Sequence, residues 1–170
     1  MGRLIKASKI AAAFAAAAAT AVLCCYAISG TPLFAQVEGA SMEPGYESGD
    51  VYLCAPGWSL GEAVVLDDPG QDRVLVKRAV AVGPCRVEWD SAGAIRVDGV
   101  LLDEPYARYG DGAPGECDVP AGQVFVAGDN RRVSYDSRSF GAVDKDSIRG
   151  RFFTMLKHEP GGGGQDEADP

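Results

Sequence analysis

The chain has 170 residues, of which 46% are hydrophobic and 24% are charged, and its formal net charge is −8. This length and composition are typical of one globular domain with short additional segments, and they exclude a chain that is disordered throughout. The basic residues form no long run. A nucleic-acid partner is therefore not expected, because binding phosphates requires a positive surface.

The N-terminal part of the chain differs from the rest. Arg3, Lys6 and Lys9 precede an uncharged stretch from Ile10 to Val37. Residues 10–28, the core of this stretch, approach the ~20 apolar residues that a membrane-spanning helix needs. Basic residues before the stretch and none just after it predict a cytoplasmic N-terminus and an extracytoplasmic C-terminal domain in the plasma membrane.

A cleaved secretory signal is the alternative to such an anchor. Leu33-Phe34-Ala35 is a poor cleavage site, because the position two residues before the final small residue should also be small. An uncleaved anchor is therefore favoured. We divide the chain into a cytoplasmic basic N-terminus (1–9), a transmembrane anchor (10–30), an extracytoplasmic domain (31–158) and a disordered Gly-rich acidic tail (159–170).

Beyond the anchor, short apolar runs alternate with turn residues, which is typical of β-strands. No long stretch after residue 40 has a helical period, and the only helix expected there is a short one near 145–149. The domain should therefore be mainly β. The predicted strands are 51–53, 63–66, 74–76, 86–89, 94–97 and 124–126.

The five cysteines are an odd number. Cys24 and Cys25 lie in the apolar stretch, where they are packing residues or acylation sites. Cys85 and Cys117 lie in the part where oxidation is allowed and could form a disulfide, which would leave Cys54 unpaired. The sequence leaves this pairing open.

Several kinds of catalytic site are excluded by the residues present. His158 is the only histidine, and it adjoins the Gly-rich tail. It is a poor member of a Ser-His-Asp triad, since the imidazole must be held against the serine by a third group. The cysteines lack the paired spacing of a zinc site. We therefore expect neither a metal nor a cofactor.

Lysine remains as a possible general base. Of the five lysines, only Lys77 lies within an apolar run, from Val74 to Val82. Burial lowers the pKa of a lysine, and a neutral amine can accept the proton of a serine hydroxyl. A strand lysine whose ammonium group extends to water is the alternative, and Lys77 alone does not separate the two.

Two further segments contain residues suited to a peptidase site. Ser41 lies in the segment 39–45, among small residues and next to a proline-containing turn, so it is a candidate nucleophile. The segment 128–141 holds two acids, three arginines and three serines between two glycines. Its carboxylates and guanidinium groups could satisfy each other, or the segment could be a solvated turn.

In this order, the segments resemble the bacterial type I signal peptidase (leader peptidase) family in its short, single-anchor form. The resemblance covers nearly the whole chain. It rests on the anchor followed by Ser41-Met42-Glu43-Pro44, Gly49-Asp50, Lys77-Arg78-Ala79, Val97-Asp98-Gly99, Asp103-Glu104-Pro105-Tyr106 and the Gly128–Gly141 block.

The resemblance implies a mainly β, signal-peptidase-type catalytic domain preceded by one N-terminal transmembrane helix. It implies a monomeric, membrane-bound serine endopeptidase that removes signal peptides from exported preproteins after small-x-small sites such as Ala-x-Ala. Carried over by position, it implies that Ser41 is the nucleophile, Lys77 the general base and Ser134 the residue that orients the lysine. It further implies bracing of the site by Arg78, Asp129, Asp136 and Arg138, and substrate contacts from Val37, Gly39, Met42 and Leu75.

The sequence departs from the family pattern at three points. Gly45 stands where threonine is frequent, and Gly83-Pro84-Cys85 replaces the usual Pro-Gly-Asp. Gly39 stands where some members have a serine whose hydroxyl contributes to the oxyanion hole. At this position the chain offers no side-chain donor.

Three other functions share these features. One is a dedicated peptidase for a narrow set of clients, such as pilus or conjugation components, and another is an inactive, anchored β domain that binds exported peptides. Self-cleaving repressor-type proteins also use Ser/Lys dyads in a related β fold. They are soluble and carry a cleavable linker or a DNA-binding domain, neither of which is evident here.

Overall fold

The structure, a computed structural model, describes residues 2–158. A long helix, α1 (Gly2–Ser29), is followed by a domain of two antiparallel sheets. The strands are β1 (Phe34–Gln36), β2 (Val51–Ala55), β3 (Ala63–Asp67), β4 (Val74–Val82), β5 (Cys85–Trp89), β6 (Ile95–Val97), β7 (Val100–Leu101), β8 (Gly115–Val119), β9 (Gln123–Ala127), β10 (Val143–Asp144) and β11 (Ile148–Lys157). One helical turn, α2 (Ser137–Phe140), precedes β10, and a 3₁₀ turn (Lys145–Ser147) follows it.

Helix α1 includes the segment 10–29 of the predicted anchor and begins earlier, at Gly2. Over residues 2–158, no helix has both the length and the apolar character needed to cross a membrane. The predicted membrane-spanning role of 10–30 is therefore not confirmed. The predicted tail, 159–170, lies outside the described residues.

The larger sheet has the strand order β1-β2-β11-β3-β4-β9-β10. The last strand of the chain, β11, thus lies between β2 and β3 and pairs antiparallel with both. Strand β4 pairs with β3 along its first half, where Val64 is opposite Lys77, and with β9 from Arg78 onward. The smaller sheet has the order β7-β6-β5-β8.

Two apolar cores lie on opposite faces of β9. Val124 and Val126 belong to one core, with residues of β3, and Phe125 belongs to the other, with Val87 and Ile95 of the smaller sheet. A strand that is buried on both faces has a continuous apolar sequence rather than an alternating one. This explains the uninterrupted Val124-Phe125-Val126 run.

All six predicted strands are confirmed, and the domain is mainly β as predicted. The short helix predicted near 145–149 is confirmed in part. A 3₁₀ turn occupies only Lys145–Ser147, where the Ser147 hydroxyl donates to the Asp144 carbonyl at 2.6 Å, and Ile148 already begins β11. The sequence analysis missed β1, β7, β8, β10, β11 and α2.

Cys85 and Cys117 are both free thiols. The register of β5 and β8 places Cys85 opposite Val119 and Cys117 opposite Val87, so the two cysteines are diagonal neighbours. Diagonal positions are about 7–8 Å apart, beyond the usual Cα separation of a disulfide. The disulfide considered from sequence is not formed.

Candidate active site

The turn that carries Ser41 follows β1 and is held from two sides. Met42 is only 1% exposed and fixes the turn to the protein interior. The Ser41 carbonyl accepts a hydrogen bond from the Asn130 backbone N–H at 3.0 Å, which connects this turn to the loop after β9. Just upstream, Val37 exchanges backbone hydrogen bonds with Gly49 and Asp50 and continues the direction of β1.

Lys77 extends from β4 toward this turn. Lys77 is almost fully buried, with 3% of the residue exposed. Its Nζ is 2.9 Å from Ser41 Oγ and 2.8 Å from the Val76 carbonyl oxygen. Burial disfavours the ammonium form and lowers the pKa of Lys77 to about 8, although Asp136 acts in the opposite direction. About a tenth of this amine is therefore neutral at pH 7, and about half at pH 8, and the neutral form is able to accept a proton.

The loop between β9 and α2 packs directly against Ser41. A Cβ atom at Gly128 would lie 2.2 Å from Ser134 Oγ and 2.5 Å from the Ser41 carbonyl oxygen, so only glycine allows this approach. Ser134 Oγ is buried and has no hydrogen-bond partner among residues 2–158. The predicted orienting contact from Ser134 to Lys77 is not made in this structure, and that role stays a prediction.

The predicted bracing residues form two separate ion pairs. Arg78 and Asp129 make a double hydrogen bond, at 2.8 and 2.5 Å, and the same guanidinium group donates to the Gly61 carbonyl at 2.6 Å. Such bidentate pairs fix both position and orientation. They hold β4, immediately after Lys77, against the loop after β9.

The second pair lies within that loop. Arg138 contacts both carboxylate oxygens of Asp136 at 2.9 Å, and Asp136 also accepts from the Gly128 backbone N–H at 2.9 Å. Burial alone would raise the pKa of Asp136, but the Arg138 guanidinium and the Gly128 N–H lower it below its usual value. Asp136 therefore stays ionised and fixes Gly128 beside Ser41.

A third buried pair was not predicted from sequence. Glu104 and Arg131 form a bidentate pair, at 2.6 and 2.9 Å, in which both side chains are 1% exposed. Tyr106 donates to Glu104 at 2.9 Å, and its ring lies 3.9 Å from the Arg78 guanidinium carbon. The Asp103-Glu104-Pro105-Tyr106 motif was the available signal, but the motif does not reveal which cation it meets.

A cleft of about 460 Å³ opens beside the serine and the lysine. One wall is the stretch from Ala35 to Glu38, and the other is the stretch from Arg73 to Lys77. Three of the predicted substrate-contact residues, Val37, Met42 and Leu75, line the cleft. The fourth, Gly39, is exposed, has a φ of 77° and is not among the lining residues.

His158, which adjoins the predicted tail, is held by two acidic residues. Its Nδ1 is 2.6 Å from Asp50 Oδ1, and its other ring nitrogen is 3.9 Å from Glu47. The Asp50 and Glu47 carboxylates raise the pKa of His158. The histidine thus pairs with these acids and not with Ser41.

Comparison with known proteins identifies the family of the chain. The family model described as signal peptidase, peptidase S26, matches residues 5–156. The chain belongs to the signal peptidase family. It is therefore a hydrolase of the signal peptidase type.

Curated members of the family are similar over most of their length. Signal peptidase IB of Staphylococcus aureus (strain COL) is 32% identical over 152 residues, which cover 72% of this chain and 79% of the relative. Signal peptidase I of Bacillus caldolyticus is 31% identical over 135 residues, covering 68% and 74%. A crystal structure of a signal peptidase I from Enterococcus faecalis V583 has a TM-score of 0.48 and 23% identity, and the match covers 57% of this chain and 97% of that one.

Proposed function

We propose that this chain is a serine endopeptidase with a Ser41/Lys77 dyad that removes signal peptides from exported preproteins after small-x-small sites such as Ala-x-Ala. The observation that carries the proposal is the 2.9 Å contact between Lys77 Nζ and Ser41 Oγ. The burial of Lys77, which lowers its pKa to about 8, supports the same conclusion. A general base must lie within hydrogen-bond reach of the proton it removes and must be unprotonated at working pH.

In the proposed reaction, Ser41 Oγ attacks the scissile carbonyl carbon while Lys77 Nζ accepts the hydroxyl proton. The resulting ammonium group then protonates the departing amine, which releases the mature protein and leaves an acyl-enzyme on Ser41. A water molecule, deprotonated by the neutral amine, hydrolyses this ester and returns the serine. This sequence is the general logic of an activated nucleophile with one adjacent base.

The backbone N–H of Ser41 is a suitable donor for the oxyanion. It makes no hydrogen bond to any other described residue, whereas the Ser41 carbonyl is already bound by Asn130. Preorganised donors of this kind commonly contribute ~10²–10³ in rate. Since residue 39 is glycine, no side-chain hydroxyl can assist from that position.

The walls of the cleft are suited to an extended peptide. Strand β1 is at the end of the sheet and pairs only with β2. Residues 74–77 of β4 pair with β3, but β9 begins to pair with β4 only at Arg78, so their other edge has no strand partner in the described domain. A peptide entering between these edges would be bound by strand addition.

The preference for small side chains follows from the same arrangement. Val37, Met42 and Leu75 narrow the cleft near the dyad. Alternate residues of an extended substrate point to the same side, so the first and third residues before the cleaved bond would face this apolar lining together. Small side chains at both positions fit such a shallow lining.

We further propose that α1 attaches the catalytic domain to the outer face of the plasma membrane, with the N-terminus in the cytoplasm. Phe14, Val22 and Leu23 of α1 are exposed, and the stretch from Ile10 to Val37 carries no charge. Basic residues precede this stretch, as expected for a cytoplasmic N-terminus. Membrane lipid and exported preproteins are then the partners of the chain.

The catalytic proposal is tested by preprotein cleavage with the full chain in detergent. Ser41→Ala and Lys77→Ala should be inactive, because they remove the proposed nucleophile and the proposed base. Lys77→Arg should also be inactive, because arginine stays protonated and cannot accept the serine proton. A conservative surface variant, Lys145→Arg, is the matched control and should cleave as the wild type does. Full activity of Lys77→Arg would rule out the lysine base.

The location is tested separately. The chain should stay in the membrane fraction after alkaline extraction, and protease added outside intact cells should digest the domain after residue 40. Release of the chain by alkaline extraction, or full protection from external protease, would contradict the proposed attachment and orientation.

A further inference from the structure

Arg73 lies in the same cleft as the proposed dyad, at the opposite end of one wall. It lines the cleft together with Leu75 and Lys77. These residues alternate along β4 and its N-terminal extension, and alternate residues of a strand face the same side. Arg73 is four positions before Lys77, and an extended chain covers about 13 Å over four positions.

The position of Arg73 is fixed by the hairpin that connects β3 to β4. The Arg73 carbonyl accepts from the Asp68 backbone N–H at 2.9 Å, and Arg73 Nε donates to Asp68 Oδ2 at 2.7 Å. The Asp68 side chain is fully buried and also accepts from the Gly70 N–H. The Arg73 guanidinium lowers the pKa of Asp68, so this carboxylate remains an ionised support for the arginine.

Only one edge of the Arg73 guanidinium group is used by Asp68. Its two terminal nitrogens make no hydrogen bond within residues 2–158, and the side chain is 51% exposed. The group therefore offers unpaired donors at the open end of the cleft. Glu38, the acidic residue of the lining, is on the other wall and close in sequence to Ser41.

A peptide that runs parallel to β4 would bring one of its side chains to Arg73. This step rests on the proposed function, in which the residue before the cleaved bond, position −1, lies beside Ser41 and Lys77. With the period of two that extended chains share, position −3 lies beside Leu75 and position −5 beside Arg73. Positions −1, −3 and −5 thus face the same wall.

We propose that Arg73 is a specificity-determining residue that favours an acidic side chain, and disfavours a basic one, at position −5 of the substrate. A carboxylate at −5 can accept from the free guanidinium nitrogens, whereas a lysine or arginine there meets a like charge. The pair is partly exposed, so the expected discrimination is modest, about three- to tenfold in kcat/KM.

The test uses three peptides that share an Ala-x-Ala site and differ only at position −5, which is aspartate, alanine or lysine. The full chain in detergent is assayed with each, as wild type, Arg73→Gln and Arg73→Lys. The wild type and Arg73→Lys should cleave the aspartate peptide about three- to tenfold better than the lysine peptide, and this ratio should fall to about one in Arg73→Gln. A ratio between peptides on one enzyme cancels any effect of the substitution on the dyad itself.

Arg149→Gln is the matched control. Arg149 is a similarly exposed arginine paired with Asp67. It shares a neighbouring surface cavity with Arg73, but it does not line the substrate cleft. This variant should keep the wild-type ratio. The ratio should also decrease at high salt, because exposed charges are screened.

The outcomes separate this inference from the proposed function. Equal cleavage of all three peptides by the wild type would overturn the role of Arg73 while leaving the peptidase intact. A preference for the aspartate peptide over the lysine peptide that persists in Arg73→Gln would also overturn the role of Arg73 while leaving the peptidase intact. Failure of the wild type to cleave any of the peptides or the parent preprotein would overturn the proposed function and this inference with it.

Discussion

At the scale of single residues, the reactivity of the proposed dyad depends on where one amine is buried. Lys77 is surrounded by β3, β4 and the Ser41 turn, and this burial is the main cause of its lowered pKa. The same burial makes the protonated form costly to the folded protein. Activity and stability should therefore both depend on pH through this residue.

The rate of peptide cleavage should rise with pH through the pKa of Lys77. Because the neutral amine is the base, log kcat/KM should increase with a slope of about one at acid pH and level off above about pH 8. Initial rates with a neutral peptide between pH 5 and 10 measure this. A profile that is flat down to pH 5 is incompatible with an amine base.

Replacing Lys77 by methionine should stabilise the protein near neutral pH. The folded-state pKa of about 8 lies below the ordinary value of 10.5. The cost of the buried ammonium is therefore fully present below pH 8 and declines as the pH rises toward 10.5. Lys77→Met should gain about 1–3 kcal/mol in free energy of unfolding at pH 7, with a smaller gain at pH 10.

Urea denaturation of Lys77→Met and the wild type at both pH values provides the measurement. An unchanged or lower stability of the variant at pH 7 would show that the wild-type lysine carries no such penalty.

Residue chemistry made Ser41 and Lys77 candidates, and the family resemblance paired them. The structure brings these two side chains together. The sequence could not predict the Glu104–Arg131 pair, because it does not show which of several opposite charges a charged residue will meet in the fold. Nor could it predict that Ser134 Oγ has no hydrogen-bond partner within residues 2–158, since that depends on side-chain rotation within a packed loop.

At the scale of elements, the loop after β9 joins the Ser41 turn, β4 and the buried ion pairs of the candidate site. Gly128 contacts the Ser41 turn, Asp129 binds Arg78, and Arg131 binds Glu104. The loop leaves little room for a larger residue at its first position. A larger residue at this position should therefore change activity through packing and not through surface charge.

Gly128→Ala should abolish most activity and lower stability. The added methyl group would lie 2.2 Å from Ser134 Oγ and 2.5 Å from the Ser41 carbonyl oxygen, so the two segments must move apart. We expect at least a tenfold loss in kcat/KM and a loss of about 1–3 kcal/mol in stability. Gly112→Ala is the control, since its nearest atom is the Ser91 carbonyl oxygen at 3.7 Å, and it should behave as the wild type.

Removing one member of the buried Glu104–Arg131 pair should be strongly destabilising. Glu104→Ala leaves Arg131 as an uncompensated buried charge. The expected loss is about 3–5 kcal/mol in free energy of unfolding, measured by thermal or urea denaturation. The exposed Arg86, which pairs with Glu116 and Asp118, is the contrasting case. Arg86→Ala should leave the free energy of unfolding almost unchanged. Similar losses in both variants would argue against the importance of the buried pair.

The strands that sequence analysis found are those with a clear apolar run, such as Val64-Val65-Leu66 and Val124-Phe125-Val126. Strands β1, β7 and β10 have only two or three residues, too few for a period to be recognised. Strand β11 is long, but Arg149, Gly150 and Arg151 interrupt its apolar pattern and its last residues are exposed. Its assignment comes from pairing with β2 and β3, which a local pattern does not contain.

At the scale of the whole molecule, the order of the large sheet separates the two halves of the proposed dyad. Strands β1 and β2 adjoin the Ser41 turn, whereas Lys77 lies on β4, next to β3. Only β11 connects β2 to β3 within this sheet. The relative position of nucleophile and base thus depends on the last strand of the chain.

Deleting residues 148–170 should prevent formation of the active enzyme, because β2 and β3 lose the strand that lies between them. Deleting 159–170 alone leaves β11 in place and should preserve preprotein cleavage within about twofold, since a Gly-rich acidic segment has little apolar surface to bury. Circular dichroism and cleavage assays on both truncated chains provide the measurement. An active enzyme ending at residue 147 would show that β11 is dispensable.

The central place of β11 also sets when the enzyme can first act. Ribosomes and export channels release a chain from its N-terminus, so the Ser41 turn emerges first, the Lys77 strand next and β11 last. Until that final segment has emerged, the Ser41 turn and the strand of Lys77 have no common sheet to hold them. The proposed dyad should therefore assemble only after β11 has been made.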